Sequence, residues 1–540
     1  MYKVITAALP YSYSTPHVGN FVGSILPADI FYKYNKIKGE DAIFICGSDE
    51  HGTPMELEAI KRNMPPDQLA EQMHNKIKSL FERYNCSFTY YGKTHCEANK
   101  LTVYEIFEAL DKNNYIVETE SIVPFCNVDN RFLVDKLIEG TCPYCGYEHA
   151  RGDQCENCGR LLDPTQLINP KCKICGKSDI SFKRVKNLAI ALDKFSSWLE
   201  SYIKDHDSLW TKNAVNKALS YIKEGLRPRD ITRHMKWGFS VNKQGFEDLV
   251  FYVWFDALIG YIGITRDYTK DWEKYWKDQN NELIQFFGKD NIEFHTLMFP
   301  SLLKGSNLGF ILPNRIKAME YLLFNNKKIS KSQHIGIDLE EALKYMDADY
   351  WRFLLAYIIP ENGDTSLDKQ VLIDAIDKNL NDNIGNLINR VLNIAYNEKI
   401  DLKKFDNKIL EGISNYINKY ISDMDSIKIK DGLRDAIGLA EFGNEYLSSS
   451  EPWKKNGEEK EIILNTSIVI LYYLFVLLWP FIPKKSEEGL KMLGIDISNE
   501  RIVDVNTLLK DISNKIKISL KDRPKPIFNK TPKELVAIFS

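Results

Sequence analysis

Short apolar runs alternate with helical patterns over the first part of the chain. Residues 3–9 form a continuous apolar run that is typical of a buried strand, and residues 21–39 carry apolar side chains at helical spacing. A second apolar run, residues 42–46, leads into a polar loop. This alternation predicts a parallel α/β domain, in which ligands gather where the carboxyl ends of the strands meet.

The pattern changes twice further along the chain. After residue 115, short strand-like pieces surround a group of cysteines, and strand and helix patterns return between residues 249 and 300. From about residue 349 the chain carries long amphipathic helical patterns with few turn signals. The predicted fold class is therefore α/β, with a parallel sheet split by an insertion and followed by an all-α helix bundle that ends near Leu493. A polar tail is expected after it.

The most apolar stretch of the chain lies in this helical part, at residues 468–482. It is 15 residues long and contains Pro480, whereas a spanning helix needs about 20 apolar residues. The stretch therefore predicts a buried helix of the bundle, and no membrane partner is expected.

Length and composition indicate an ordinary globular protein of several domains. The chain has 540 residues, of which 44% are hydrophobic and 27% charged, with a net charge of −3. A nucleic-acid-binding surface must then be a local basic patch, because the chain as a whole is not basic. No apolar segment typical of a secretory signal follows Met1, so a cytoplasmic protein is expected.

The first candidate for chemistry is the loop "HVGN" between the first strand and the first helix. The His17 ring and the Asn20 amide can donate hydrogen bonds, and Gly19 lets the backbone approach a ligand closely. Free backbone N–H groups at the start of a helix also attract anions. The alternative is that Asn20 only caps the helix and that His17 is a surface histidine, and the motif by itself favours that alternative.

The second candidate is "KKISKS", residues 327–332, at the end of the second α/β block. A loop rich in lysine can neutralise the charge that develops on a phosphoryl group during its transfer. A solvated basic turn is the alternative for this motif alone. The chain has no GxxxxGK[ST] loop, so a nucleotide must be held in another way. The combination of HVGN and KKISKS in one chain is much rarer than either motif alone.

Six of the ten cysteines lie in CxxC pairs. Cys142, Cys145, Cys155 and Cys158 form two pairs separated by nine residues, a spacing typical of one tetrahedral structural zinc ion. Cys172 and Cys175 form a third pair, which needs partners from elsewhere in the chain.

These motifs resemble those of the class I aminoacyl-tRNA synthetases, and among them the methionine-specific family. "HVGN" stands for the first signature of the class and "KISKS" for the second, and the Asn variant resembles the archaeal and eukaryotic branch. The resemblance extends over nearly the whole chain, through "LPYSYSTPHVGN", "CGSDEHGTP", the cysteine block, "RPRDITR", "FYVWFDALIGY", "GKDNIEFH" and "EPW".

The resemblance implies a Rossmann-type catalytic core that activates methionine with ATP and transfers it to tRNA(Met), with Mg²⁺ accompanying the ATP. It implies five regions: the first catalytic half at 1–115, a zinc-binding insertion at 116–220, the second half at 221–322, the KISKS loop with a stem-contact linker at 323–370, and the anticodon-binding domain with its tail at 371–540. The positions that match catalytic residues are His17, Asn20, Lys328 and Lys331. Those that match ATP-binding residues are His17, Gly19, Asn20, Gly288, Asp290 and Lys331.

The amino-acid pocket follows from chemistry as well as from the resemblance. Methionine needs a carboxylate for its ammonium group, a dry apolar slot and a weak donor near its sulfur. Asp49 suits the first role, and the other matching positions are Leu9, Tyr11, Trp254, Ala257, Tyr261, Phe294 and His295. Bacterial relatives have other residues at Leu258 and Asn291. Without the two signatures, "FYVWFDALIGY" would be interpreted as a plain buried strand and helix.

Two further sites rest on the resemblance. Cys126 and Asp129 lie where relatives with two zinc ions carry a CxxC pair. Two hypotheses follow: this chain has a second zinc site made of Cys126, Asp129, Cys172 and Cys175, or it has lost that metal. In the helical domain, Asn386, Arg390 and Trp453 match anticodon-reading positions, and the first two are four residues apart on one helix face.

Two other functions remain open at this point. A related synthetase for leucine, isoleucine or valine would need a much larger editing insertion than the chain has room for. A catalytically silent RNA-binding protein would not need intact HVGN, Asp49 and KISKS. The family often carries an additional OB-type tRNA-binding domain, and the tail "NKIKISLKDRPKPIFNK" is too short to be one. Such a module is expected as a separate protein or not at all.

Overall fold

The computed structural model describes residues 1–134, 137–152, 155, 157–158, 160, 162–330, 335–396, 398, 400–518 and 523–539. Lys331, which the sequence analysis places in the second signature, lies outside the described residues.

A five-stranded parallel sheet forms the centre of the catalytic domain and confirms the predicted fold class. In spatial order its strands are Pro313–Met319, Glu282–Gly288, Lys3–Ala7, Ala42–Ser48 and Tyr90–Lys93. The chain order reverses at the first strand, which pairs with Ala42–Ser48 on one side and with Glu282–Gly288 on the other. A crevice opens at such a switch point, where the carboxyl ends of two neighbouring strands lead their connections in opposite directions.

Alternation along the strands divides the apolar side chains between two cores. Ile5 and Phe44 belong to one cluster of buried residues, whereas Val4 and Ile43 belong to a second cluster on the opposite face. The helices of this part of the chain cover both faces. They are 18–38, Thr53–Lys61, Pro66–Arg83, Glu97–Lys112, Ser196–Asp205, Lys212–Glu224, Val253–Tyr268, Glu273–Trp276 and 294–306.

The insertion is an antiparallel structure built on a long two-stranded ribbon. Ile116–Cys126 pairs with Ile180–Ile190 over its whole length, and the short strands Arg131–Phe132 and Arg229–Asp230 complete this sheet. Ile138–Thr141 pairs with Ala150–Arg151 and with Ile168–Cys172 in a second small sheet. The core between them contains four of the cysteines that are candidate metal ligands.

Two small sheets flank the second signature and the pocket. Leu322–Phe324 pairs with Lys327–Lys328 and Thr365–Leu367, and Thr232–Arg233 pairs with Val250–Phe251.

The remainder of the described chain is helical, as predicted. Its helices are Leu339–Ala342, Ala348–Tyr357, 369–396, Asn407–Asp425, Ile429–Ser450, Gly457–Leu478, Pro483–Met492, Val505–Lys515 and Lys533–Ile538. Gly457–Leu478 is long and apolar enough to cross a membrane by length and composition, and 89% of its most apolar 18-residue window is buried inside the protein. The helix therefore forms the core of the bundle, with 22 residues rather than the 15 of the apolar stretch.

A fully buried ion cluster joins the catalytic domain to the helical part. Arg352 Nη2 lies 2.7 Å from Asp29 Oδ2, and Lys33 Nζ lies 2.7 Å from Asp29 Oδ1. Arg352 also donates to the backbone carbonyls of Tyr84 and Pro480. Burial alone would raise the pKa of Asp29, but the two cations outweigh it and hold this pKa below its usual range.

The segment after Leu493 is more than the polar tail that its composition predicts. Phe528 is buried, and the Phe539 ring stacks on Phe324 with ring centroids 4.9 Å apart. The backbone N–H of Thr531 donates to Asp377 at 2.7 Å. A few apolar residues among many polar ones thus pack this segment against other parts of the chain, including strand Leu322–Phe324, which precedes KISKS.

Candidate active site and metal centres

The HVGN loop lies at the carboxyl end of the first strand, beside the crevice. The backbone N–H of Asn20 donates to His17 Nδ1, and the backbone N–H of His17 donates to Asn20 Oδ1, each at 3.1 Å. This reciprocal cap satisfies two N–H groups at the start of the helix. Asn20 is exposed and His17 half-buried, so the capping role coexists with access from the crevice.

Gly19 lies where the second signature approaches the HVGN loop closely. A Cβ atom at this position would lie 3.1 Å from the His17 ring and 3.1 Å from Ile329 Cδ1. On the other side of Ile329, a Cβ atom at Gly336 would lie 2.6 Å from its Cγ2. The described part of the KISKS segment therefore packs directly on the HVGN loop, through a tight contact at Gly19 and a contact at Gly336 that leaves no room for a Cβ atom.

The third segment at the crevice is "GKD", which follows strand Glu282–Gly288. The Tyr321 hydroxyl donates to Asp290 Oδ1, and Lys328 Nζ donates to the Tyr321 hydroxyl at 3.3 Å. Two ammonium groups lie close to the Tyr321 ring, with the ring centroid 3.9 Å from Lys289 Nζ and 4.3 Å from Lys328 Nζ. The structure thus brings Asp290 and Lys328 together through Tyr321, a residue that the sequence analysis did not identify because tyrosine belongs to neither signature.

Asp49 lies at the carboxyl end of the second strand, in a buried position. The backbone N–H of Asp49 donates to Pro10 O at 2.9 Å, and the backbone N–H of His51 reaches Asp49 Oδ1 at 3.4 Å. Burial, and then the nearby carboxylate of Asp256, raise the pKa of Asp49 well above its usual range. A carboxylate in such a place gains most from a cationic ligand that restores its ionised form.

A narrow apolar cavity opens beside Asp49. Its lining comes from four segments of the chain and consists of Ala8, Leu9, Asp49, Trp254, Ala257, Leu258, Tyr261, Asn291 and His295. Most of the predicted pocket residues are among them, and so are the two positions where bacterial relatives differ. Ala8 is an additional lining residue that sequence reasoning missed.

Tyr11 and Phe294 lie around this cavity as part of an aromatic group. The Phe294 ring stacks on Trp254 with centroids 4.0 Å apart and an angle of 6° between the planes. Tyr11 meets the edge of Trp254 at 6.4 Å. Because these rings are half-buried, the aromatic group forms a wall between the cavity and the surface.

The floor of the cavity is polar but uncharged. Burial lowers the pKa of His295 to about 4, so this ring is neutral near pH 7. His295 Nδ1 lies 3.0 Å from Asn291 O, and a carbonyl only accepts, so Nδ1 carries the proton. His295 Nε2 therefore accepts from the Tyr261 hydroxyl at 2.9 Å. A neutral side chain with weak polarity matches this environment better than a charged one.

The four cysteines of the predicted first zinc site converge. Cys142, Cys145, Cys155 and Cys158 place their sulfur atoms within 4.8 Å of one another, with Cys145 and Cys155 3.6 Å apart and Cys142 and Cys158 3.9 Å apart. Zinc–sulfur bonds of about 2.3 Å in a tetrahedron require sulfur separations of about 3.8 Å. The geometry fits zinc.

The hypothetical second site converges in the same way. Cys126 Sγ lies 3.6 Å from Cys175 Sγ, and Asp129 Oδ2 lies 3.0 Å from Cys172 Sγ and 3.5 Å from Cys126 Sγ. All four ligand atoms lie within 4.8 Å of one another. Three thiolates and one carboxylate form a donor set that zinc accepts.

The three predicted anticodon residues also lie together. The guanidinium carbon of Arg390 lies 5.5 Å from the centroid of the Trp453 ring, and Trp453 is 53% exposed. Asn386 and Arg390 both donate to Asn444 Oδ1, and Arg390 also donates to Ser448 Oγ. The sequence analysis did not identify Asn444 and Ser448, because they lie more than 50 residues further along the chain.

Two family models match adjoining parts of the chain. The model of "tRNA synthetases class I (M)" matches residues 3–392, and the model of the "Anticodon binding domain of methionyl tRNA ligase" matches residues 399–539. The first contains the crevice, the pocket and both cysteine clusters, together with Asn386 and Arg390. The second contains Trp453 and Asn444.

Similar proteins carry one name. The methionine–tRNA ligase of Caldivirga maquilingensis is 38% identical over 98% of this chain and 92% of the relative, and that of Thermofilum pendens is 37% identical over 98% and 95%. The crystal structure of the Mycobacterium tuberculosis methionyl-tRNA synthetase bound by methionyl-adenylate has a TM-score of 0.77 at 20% identity, over 98% of this chain and 100% of that one. This last likeness concerns the fold.

Proposed function

The chain belongs to the methionyl-tRNA synthetases of class I, and we propose that it activates L-methionine with ATP and transfers the methionyl group to tRNA(Met). The observation that carries this proposal is the meeting of HVGN, GKD and the start of KISKS beside a cavity that holds Asp49. A nucleotide in the crevice and an amino acid in the cavity would lie next to each other, as adenylate formation requires.

Methionine would enter the cavity with its ammonium group at Asp49. The cation compensates the buried carboxylate, and the side chain extends between Leu9, Ala257 and Leu258, away from water. The Tyr261 hydroxyl, whose proton is donated to His295 Nε2, lies at the floor, where the thioether sulfur would end. Because His295 is neutral and already accepts from Tyr261, a charged side chain would find no counterion there.

In the first step, a carboxylate oxygen of methionine attacks the α-phosphorus of ATP. The new P–O bond forms as the bond to the leaving pyrophosphate breaks, and negative charge accumulates on the phosphate oxygens. His17, Gly19 and Asn20 are the proposed phosphate contacts, Gly288 and Asp290 complete the ATP site, and Lys328 and Lys331 stabilise the transition state. The ATP phosphates would carry Mg²⁺, which would supply partial neutralisation of their charge.

In the second step, a hydroxyl of the 3′-terminal adenosine of the tRNA attacks the carbonyl carbon of methionyl-adenylate. The ester bond forms, AMP leaves with the electrons of the C–O bond, and the hydroxyl proton is lost to the leaving phosphate or to water. The role of the protein in this step is to hold the adenylate and the tRNA end together.

We also propose that both cysteine clusters hold structural zinc. The sulfur separations support this assignment for Cys142, Cys145, Cys155 and Cys158, and the close contacts of Asp129 with two thiols support it for the second cluster. The small core of the insertion gives a reason for two ions, because little apolar surface is buried there.

The five regions of the sequence analysis are proposed as the functional division of the chain, with 371–540 reading the anticodon. Unpaired anticodon bases can stack on Trp453 and accept hydrogen bonds from Asn386 and Arg390. A cytoplasmic location follows from this role in translation. A separate tRNA-binding protein module is a candidate further partner.

Pyrophosphate exchange into ATP, measured in turn with each amino acid, tests the proposal. We expect exchange with methionine alone, followed by charging of a tRNA(Met) transcript. Exchange with leucine, isoleucine or valine would identify the alternative synthetases, and the absence of exchange with every amino acid would identify a silent RNA-binding protein.

A further inference from the structure

Asn444 lies on helix Ile429–Ser450, opposite the helix that carries Asn386 and Arg390. Its Nδ2 donates to the backbone carbonyl and the side-chain Oδ1 of Asn383, each at 3.0 Å, and to Ala440 O at 3.2 Å. Its Oδ1 accepts from Asn386 Nδ2 and from Arg390 Nη1, each at 3.2 Å. One side-chain amide therefore connects five groups.

The orientation of this amide follows from its partners. Two of the groups that face its nitrogen are backbone carbonyls, which can only accept. The guanidinium that faces its oxygen can only donate. A flipped amide would point N–H at N–H and oxygen at oxygen, so the arrangement has one stable direction.

The Asn444 amide therefore orients the side chains of the two proposed anticodon-reading residues. Asn386 is exposed and holds Asn444 through one of its two amide hydrogens. This bond orients its amide, and its oxygen accepts no hydrogen bond from the residues that the structure describes, so it is left for a ligand. Arg390 is held by Asn444, by Ser448 at 3.3 Å and by the Trp453 face. Two of its five N–H groups make these bonds, and the others are available to a base edge or a phosphate.

We propose that Asn444 is a positioning residue of the anticodon site, which holds the Asn386 and Arg390 side chains in the directions that read the anticodon bases. The inference rests on the proposed function, since it assigns Asn444 a role toward residues that are themselves proposed to contact RNA. Long side chains lose much rotational freedom when they bind a ligand, and a residue that orders them beforehand lowers that cost.

The test is tRNA charging with Asn444→Ala, using transcripts with the native CAU anticodon and with an altered anticodon. We expect kcat/KM for the native transcript to fall on the order of tenfold, mainly through KM, because one or two charge-assisted bonds lose their orientation. Charging of the altered transcript and methionine-dependent pyrophosphate exchange should not change. Discrimination between the transcripts therefore falls.

A double-substitution cycle separates positioning from a structural role. If Asn444 acts through Arg390, then Asn444→Ala combined with Arg390→Ala loses no more discrimination than Arg390→Ala alone. Asn465→Ala is the matched control, because this buried asparagine bonds the backbone carbonyls of Asp401 and Lys404 in the same domain. We expect this control to lower thermal stability and to leave discrimination intact.

Asn444→Asp is the second variant in case the alanine variant does not fold. It keeps the shape, but it places an oxygen against the carbonyls of Asn383 and Ala440, so discrimination is again expected to fall. Wild-type discrimination in either variant, or additive losses in the cycle, would overturn the inference about Asn444. If Arg390→Ala itself leaves discrimination unchanged, the proposed anticodon site fails instead.

Discussion

Replacement of Asp49 by asparagine tests the proposed ammonium site directly. The substitution keeps the size of the side chain and removes its charge in a position that is 3% exposed. The polar environment of the carboxylate is sparse, since the hydrogen bond from the His51 N–H is long, at 3.4 Å. We therefore expect methionine binding to depend on the charge of this side chain.

The size of the effect follows from the burial. Removing one partner of a buried ion pair costs about 3–5 kcal/mol, which corresponds to a factor of roughly 10² to 10³·⁵ in binding. Part of the free energy gained from the ion pair is used to ionise Asp49, because burial and then the Asp256 carboxylate raise its pKa. We thus expect the lower end, an increase in KM for methionine of about two orders of magnitude.

The pH dependence has a definite sign. Because the pKa of Asp49 is raised in the empty pocket, a growing fraction of the enzyme carries the neutral acid as the pH falls through that value. Methionine binds the ionised form, so its KM should rise with falling pH in the wild type. The Asn variant has no proton to lose at this position, and its KM should show no such rise.

Pyrophosphate exchange at varied methionine concentration and pH measures both quantities. Glu50→Gln is the matched control: it replaces the adjacent buried carboxyl, whose pKa burial raises to about 8 against the opposing effect of Lys93, by an amide of the same size. If Glu50→Gln raises KM as much as Asp49→Asn does, general electrostatics explain the effect. An unchanged KM in Asp49→Asn would refute the assignment of Asp49.

Three further predictions test the remaining sites. Lys331→Ala should raise the activation free energy of adenylate formation, measured in rapid-quench experiments, by about 3 kcal/mol. Methionine binding should change little, because the lysine interacts with charge that develops only in the transition state. Elemental analysis should find about two zinc ions per chain, and one in Cys172→Ser, because a tetrahedral site normally needs four protein ligands. Trp453→Ala should raise KM for tRNA, because the loss of stacking on one base costs ~1–3 kcal/mol of binding free energy.

Each of these predictions has a contradicting outcome. An unchanged adenylation rate in Lys331→Ala would remove that lysine from the mechanism. One zinc ion in the wild type, with no loss in Cys172→Ser, would mean that the second cluster holds none. If Trp453→Ala impairs pyrophosphate exchange and charging together and lowers the melting temperature, the ring packs the bundle rather than contacting RNA.

The sequence by itself determined the first strands of the catalytic sheet, the helical character of the chain from about residue 349 to Leu493, and the loops that are candidates for chemistry. Val4 and Ile5 show why: a strand buried on both faces sends neighbouring apolar residues into opposite cores, so it is recognised in the sequence as a short apolar run. The CxxC spacing and the two signatures are also local patterns. Their chemistry depends on residue types a few positions apart, so the candidate site could be assigned before the fold was known.

Contacts between distant segments could be decided only by the tertiary structure. Tyr321 lies close to Lys289 and Lys328, and Asn444 bonds Asn386, through backbone geometry that no local period encodes. The docking of Phe539 on Phe324 escaped the sequence analysis for the same reason. A mostly polar segment is ordered here by a few buried side chains, and their burial depends on surfaces far earlier in the chain, such as Phe324.

The buried cluster of Asp29, Lys33 and Arg352 illustrates the same limit. In the sequence these are charged residues on helices, where a solvated surface is the usual environment. The fold buries all three between the catalytic sheet and the helical part, because each charge finds a partner and Arg352 also donates to backbone carbonyls. Local pattern determines which groups a chain offers, whereas tertiary packing determines which of them meet, since a buried charge is tolerated only where the whole fold supplies its counterion.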